Sequence, residues 1–234
     1  MKSNHNPPID LLIITALLLT LFPSCETAEQ DTIARAQACL DAADRTRASA
    51  CKNIVIGLET PDAYIIRCSA DFLEAGMTAS KMALAISNRD STTTSNDPLL
   101  GMMGAFAFSS TEAAENAISD CNKSNNQSFI LFASMAKMAT TIGSFGTVLT
   151  TISSGATPTQ QEMESALENL LNNPDTATLE SIGATATLVN EQYCKDGTNP
   201  DANSKVCSNI TEALNSSNSN SDIGQALLTA LRTR

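Results

Sequence analysis

A chain of 234 residues with a formal net charge of −11 repels phosphate backbones. Its largest basic cluster is Arg45-Thr46-Arg47, so nucleic acid is set aside as a partner. With no tryptophan, two tyrosines (Tyr64 and Tyr193) and seven phenylalanines, the core has to come from Leu, Ile, Ala and Met. That composition favours helix over sheet, and no strand-like alternation persists, so the expected fold is all-α.

The N-terminus opens with Lys2 and an apolar run from Leu11 to Phe22. As a helix this run spans about 18 Å, well short of the roughly 30 Å hydrocarbon core. A positive start, an apolar middle and a small residue before the cut describe a secretory signal, assigned here to Met1–Ser24. Phe22-Pro23-Ser24-Cys25 resembles a lipobox, in which the cysteine thiol is acylated and becomes the first mature residue. Ser24 fits the small residue before the cut, whereas Phe22, Pro23 and Asp10 depart from the usual pattern. Removing the signal takes away Lys2 and Asp10, which cancel, so the net charge is unchanged. Glu26 follows Cys25 where an inner-membrane retention signal would have Asp, so an outer-membrane location is expected. The acidity leaves the acyl chains, rather than surface charge, as the membrane contact.

Glu26–Thr32 reads as a polar tether ahead of one helical domain, 33–234. Apolar residues at steps of three and four then predict helices over Ile33–Asp44, Ser49–Leu58 and Pro61–Ser87, with Gly76 bending the third. Asn88–Asp97 is a polar loop, and Asp97-Pro98 starts a helix to Phe108. Ser109-x-x-Glu112 has the capping-box pattern and starts a helix to Asn122. Ser128–Ser153 is the most apolar helix after the signal. Thr157-Pro158 starts a helix to Leu171, and Asn173-Pro174 starts one reaching Lys195. A loop at Asp196–Asn203, a helix at Lys205–Asn215, a linker at Ser216–Ser221 and a last helix at Asp222–Arg232 complete the chain. Proline at the first helical position is expected in four of these helices, since its missing N–H is unpaired there anyway.

Seven cysteines leave one over, and Cys25 accounts for it if it carries lipid. The other six, Cys39, Cys51, Cys68, Cys121, Cys194 and Cys207, can form three disulfides in an oxidising compartment. Fifteen pairings are open. The short spacings favour Cys39–Cys51 and Cys194–Cys207, which leaves Cys68–Cys121. Cys25 and these six cysteines, on a chain of this size with Ser/Thr/Asn-rich helices, resemble the uncharacterised seven-cysteine lipoproteins of spirochaetes. The resemblance spans the whole chain and implies a location, not an activity.

The only histidine, His5, leaves with the signal. Without histidine there is no Ser-His-Asp triad, no Cys-His pair and no HExxH zinc site, and paired cysteines offer no thiolate. Carboxylates at helical spacing occur as Asp41 with Asp44, Glu112 with Glu115 and Glu164 with Glu168. Alone they describe solvated faces, because a glycosidase needs acids from separate elements across a cleft. Asp196–Asn203 is oxygen-rich but fails the EF-hand pattern, with Asp201 where glycine belongs and Cys207 where glutamate belongs. Phe129–Ile152 has the length of a membrane span, but Lys137 near its middle favours a buried central helix. Met102, Met103, Met135 and Met138 read as gap-fillers in an aromatic-poor core. The sequons at Asn122 and Asn209 are products of composition. No enzyme, no metal and no cofactor is expected. The expected role is an anchored, non-enzymatic envelope or surface protein, and the alternative is a carrier with an apolar pocket for a lipid or small molecule.

Overall fold

The computed structural model describes residues 27–78, 103–195, 205–216 and 218–232. These are helical with no strand among them. The signal, Cys25, the Asn88–Asp97 loop and the Asp196–Asn203 loop all lie outside the described residues. So does the start of the helix expected at Pro98, of which residues 103–106 are helical.

The first helix, α1 (Ala28–Asp41), begins inside the segment expected to be a tether. Thr27 and Gln30 form a reciprocal capping box that satisfies the first-turn amides, which moves the start ahead of the first apolar residue, Ile33. Two helices follow, α2 (Ala48–Ile54) and α3 (Pro61–Glu74). The last of these does not run on to Ser87. Gly76 has φ +79°, and the Gly76 N–H to Leu73 and Met77 N–H to Phe72 bonds close a Schellman turn. The glycine ends the helix instead of bending it. Arg45, in the turn after α1, donates through Nε to the Glu74 carbonyl at 2.8 Å. This bond sets the end of α3 beside the α1–α2 turn, so the three helices run up, down and up.

After the gap come α4 (Thr111–Lys123) and α5 (Gln127–Gly143). Ser110, one residue later than expected, caps α4 through the Ala113 amide, so Glu112 stands at the wrong position to close a capping box. The long apolar helix is broken in two. Its first part, α5, stops at Gly143, and α6 (Val148–Ser153) starts after a tight turn. A Cβ on Gly143 would stand 2.7 Å from Val148, so the chain folds back against its own helix end. No described helix is long and apolar enough to cross a membrane.

The remaining helices are α7 (Gln160–Asn172), α8 (Thr176–Val189) with a π-helical turn Asn190–Cys194, α9 (Lys205–Asn215) and α10 (Asn220–Arg232). The prolines expected to open α7 and α8 stand one residue before the cap. Thr159 takes the cap of α7 in a box with Glu162, and Asp175 caps α8 through Thr178. Oxygen side chains that accept an orphan amide occupy the cap itself, which displaces Pro158 and Pro174 outward. Among the described helices only Pro61 sits within the first turn as expected.

Three apolar cores run along the chain. Ala36, Leu40, Cys51, Val55, Ala63, Ile66 and Ala70 join α1, α2 and α3. Phe72, Phe106, Phe108, Ala117, Ile118 and Met135 join α3, α4 and α5. Met138, Ile142, Met163, Leu167, Leu170, Ile182, Leu227 and Leu228 join α5 to the C-terminal helices. Thus α3 and α5 each serve two cores. The tightest helix pair is α8 with α10, where a Cβ on Gly183 would lie 1.8 Å from the Asn220 carbonyl oxygen. A Cβ on Gly224 would lie 2.2 Å from the Leu179 carbonyl oxygen. The two helices cross antiparallel with backbone against backbone, a contact only glycine permits.

Candidate functional site

Among the described residues a buried charge cluster is built from three helices and two disulfides. Cys39–Cys51 joins α1 to α2 with Cα atoms 5.5 Å apart. Cys68–Cys121 joins α3 to α4 at 4.9 Å. The third bond, Cys194–Cys207, joins the π-helical turn to α9 at 5.4 Å. The first and third are the pairs that the short spacings favoured, and the second is the pair they left. Next to Cys51 stands Lys52, next to Cys121 stands Asp120, and one turn beyond Cys68 stands Asp71. The Lys52 ammonium lies 2.6 Å from Asp71 Oδ1 and 2.7 Å from Asp120 Oδ2, and all three side chains are mostly buried.

Burial disfavours the charge on Lys52, but its hydrogen bonds to Asp120 and Asp71 outweigh it and hold the ammonium above its ordinary value. Asp71 moves the other way from an ordinary ion-paired acid. Burial pushes it up to about 6 despite the bond from Lys52, and the charges of Asp120 and Glu74 add to the rise. Its second oxygen, Oδ2, is buried with no hydrogen-bond partner among the described residues. Two carboxylates on one ammonium leave a surplus negative charge, which adds to the burial that raises Asp71. A protonated lysine held by two acids is no nucleophile, so the cluster ties α2, α3 and α4 together electrostatically.

Arg67 performs a similar task one turn earlier. Its Nη2 faces the Val55 carbonyl at 3.0 Å, the Leu58 carbonyl at 2.8 Å and the Ile56 carbonyl. These carbonyls belong to the turn that follows α2, where the Val55 carbonyl also accepts from the Leu58 amide, so the guanidinium braces that turn. Its plane stacks over Tyr64 at 4.6 Å, and the Tyr64 hydroxyl donates to Glu59.

The carboxylate pairs singled out in the sequence go separate ways. Asp41 accepts from Gln37 at 2.7 Å, whereas Asp44 accepts from Thr46 in the turn. Glu115 pairs with Lys137 at 2.9 Å. Glu164 accepts from Gln160, and Glu168 faces Arg232 at 3.8 Å. Five of the six acids thus have a donor of their own, and among the described residues the pairs do not converge on a cleft. Lys137, the charge that argued against a membrane span, meets its partner on α4 while Ala133, Ala136, Ala139 and Ile142 of α5 are buried. Asn209 is buried as well, so its sequon offers no accessible amide. Cys25 and the oxygen-rich loop lie outside the described residues.

Among the described residues, cavities lie away from the ion cluster. One, of about 30 Å³, is lined by Met103, Met135, Met138, Val189, Ile210 and Leu227 among others. Another, of about 20 Å³, lies between Gly76, Gly104, Ile152 and Pro158. Ligand sites for small molecules measure several hundred Å³, so each of these admits a water or two. The methionines expected as gap-fillers line the larger one. The Lys52 cluster was not singled out in the sequence, because its members stand 19 and 49 positions apart. Their adjacency to cysteines was the available signal. No family model, no curated protein and no solved structure matches this chain.

Proposed function

We propose that this protein is a lipid-anchored envelope or surface protein with a non-enzymatic binding or structural role, held in the membrane by acyl groups on Cys25. The observation that carries the reading is cysteine bookkeeping: six of the seven cysteines bond to one another. That leaves Cys25, at the end of a signal-like apolar run, with no intrachain partner and a free thiol for acylation. Glu26 after it supports outer-membrane placement. The water-sized cavities among the described residues give no support to the carrier alternative. The histidine-free chain after residue 24 and the scattered carboxylates give none to a hydrolase.

Detergent-phase partition tests the anchor. The native protein is expected in the detergent phase and to incorporate labelled palmitate. Cys25→Ser is expected in the aqueous phase or as an uncleaved precursor, without label. Equal partition of the two forms would refute the reading.

A further inference from the structure

The first three helices carry a feature that the anchor alone does not explain. Among the described residues the exposed large hydrophobics are Ile54, at 37%, and Ile56, at 59%. Ile54 is the last residue of α2 and Ile56 lies on the connection to α3, while Val55 between them is fully buried. Their position in the fold follows from the up-down-up order. Arg45 bound to Glu74 marks one end of the three helices, and Cys39–Cys51 lies toward that end. From there α2 descends, and the connection carrying Ile56 reaches the start of α3 at Pro61. With Cys39 bonded to Cys51 and the two helices antiparallel, the chain beyond Ile54 runs alongside the first half of α1, toward the end where α1 begins. That end is Thr27, two residues after Cys25.

We infer that the α2–α3 connection, led by Ile54 and Ile56, rests in the lipid surface that receives the acyl chains of Cys25. The inference depends on the anchor proposed above. Two residues of chain span no more than about 7 Å, so an acylated Cys25 brings this end of the helices to the headgroups. Two isoleucines at that end then exchange water for lipid and orient the body on its anchor. Glu29, Asp31, Glu59 and Asp62 lie at the starts of α1 and α3, with Arg35 paired to Asp31 and Lys123 over Tyr64, so acids outnumber cations there and the matching surface is zwitterionic, not anionic. Arg67 contributes by fixing the backbone carbonyls of Val55, Ile56 and Leu58, which holds the connection in one shape.

The absence of tryptophan from the chain provides the probe. Full-length, lipid-modified Ile56→Trp is reconstituted in phosphatidylcholine vesicles, with Ile54→Trp as a second reporter. Ser49→Trp, exposed at the opposite end of α2, is the control. Interfacial apolar groups sit about 5–10 Å into the headgroup boundary, so brominated acyl chains are expected to quench Ile56→Trp by roughly half and to spare Ser49→Trp. Emission should also shift to the blue on reconstitution. If the chain floats with the vesicles but both reporters remain water-exposed and unquenched, the inference fails and the anchor stands. If the chain does not float, both fail. A blue emission already present in vesicle-free Cys25→Ser protein, with no further quenching by lipid, would mean that the protein covers its own tip, and this also overturns the inference.

Discussion

Removing the Lys52 ammonium would leave Asp71 and Asp120 facing each other with no cation between them. Breaking a buried ion pair from one side costs about 3–5 kcal/mol, so Lys52→Met is expected to lower stability by that much in denaturant unfolding. Asp71 makes a second expectation possible. Its folded carboxyl holds a proton up to about 6, above its ordinary 3.8, so the ionised form weighs against the fold above that pH. The burden lifts as pH falls from about 6 toward 4. Thermal melts should therefore show a midpoint that rises on acidification through this window. In Asp71→Asn the rise should be absent, and a wild-type curve equally flat would contradict the account. At lower pH the opposite sense takes over. Glu162 and Asp175 are held below the ordinary carboxylate range, chiefly by the Thr151 and Thr178 side chains respectively. The stability they add is lost as pH falls through those depressed values, so the optimum lies between the two regimes.

Between elements, the α8–α10 crossing sets a stricter condition than any side-chain pair. Gly183→Ala or Gly224→Ala must push two helix backbones apart, because the obstructing atoms are carbonyl oxygens. Overpacking of this kind costs typically about 1–3 kcal/mol and both variants are expected at the upper end. Gly57→Ala, with open space around the new methyl, should be neutral or gain about 0.4–1 kcal/mol. Calorimetry of the three variants gives the order directly. Apolar periodicity made the helices and their buried faces legible in the sequence, because burial repeats every three or four residues along α3, α7 and α8. Their ends were less legible. Proline marks the neighbourhood of a start without choosing between the cap and the residue after it, and at α7 and α8 Thr159 and Asp175 decided that. The break after Gly143 was hidden because both halves are apolar, and only the close approach of Val148 requires it. The Lys52 cluster lay beyond reach for a different reason: its three members come from three helices, and only the bonded cysteines bring them together.

For the whole molecule, the disulfides differ in the chain they close. Cys68–Cys121 has a sequence separation of 53, against 12 and 13 for the other two. In the chain-entropy picture the long closure contributes about 4 kcal/mol and the short ones about 3 each. Replacing Cys68 and Cys121 together by Ala is expected to lower the denaturation midpoint more than replacing either short pair. It also releases the helices that carry Asp71 and Asp120.

Every bond joins a cysteine to the next one along the chain: first to second, third to fourth, fifth to sixth, counted from Cys39. A polypeptide threaded N-terminus first into an oxidising compartment presents each cysteine to an oxidase just after its correct partner. With Cys25 withheld as the acylated residue proposed above, joining the remaining neighbours in order of arrival yields the native set with nothing to reshuffle, because no bond has to wait for a cysteine beyond the next. Maturation of this protein is therefore expected to need a thiol oxidase but no disulfide isomerase. Peptide maps from cells lacking the isomerase should show the same three bridges.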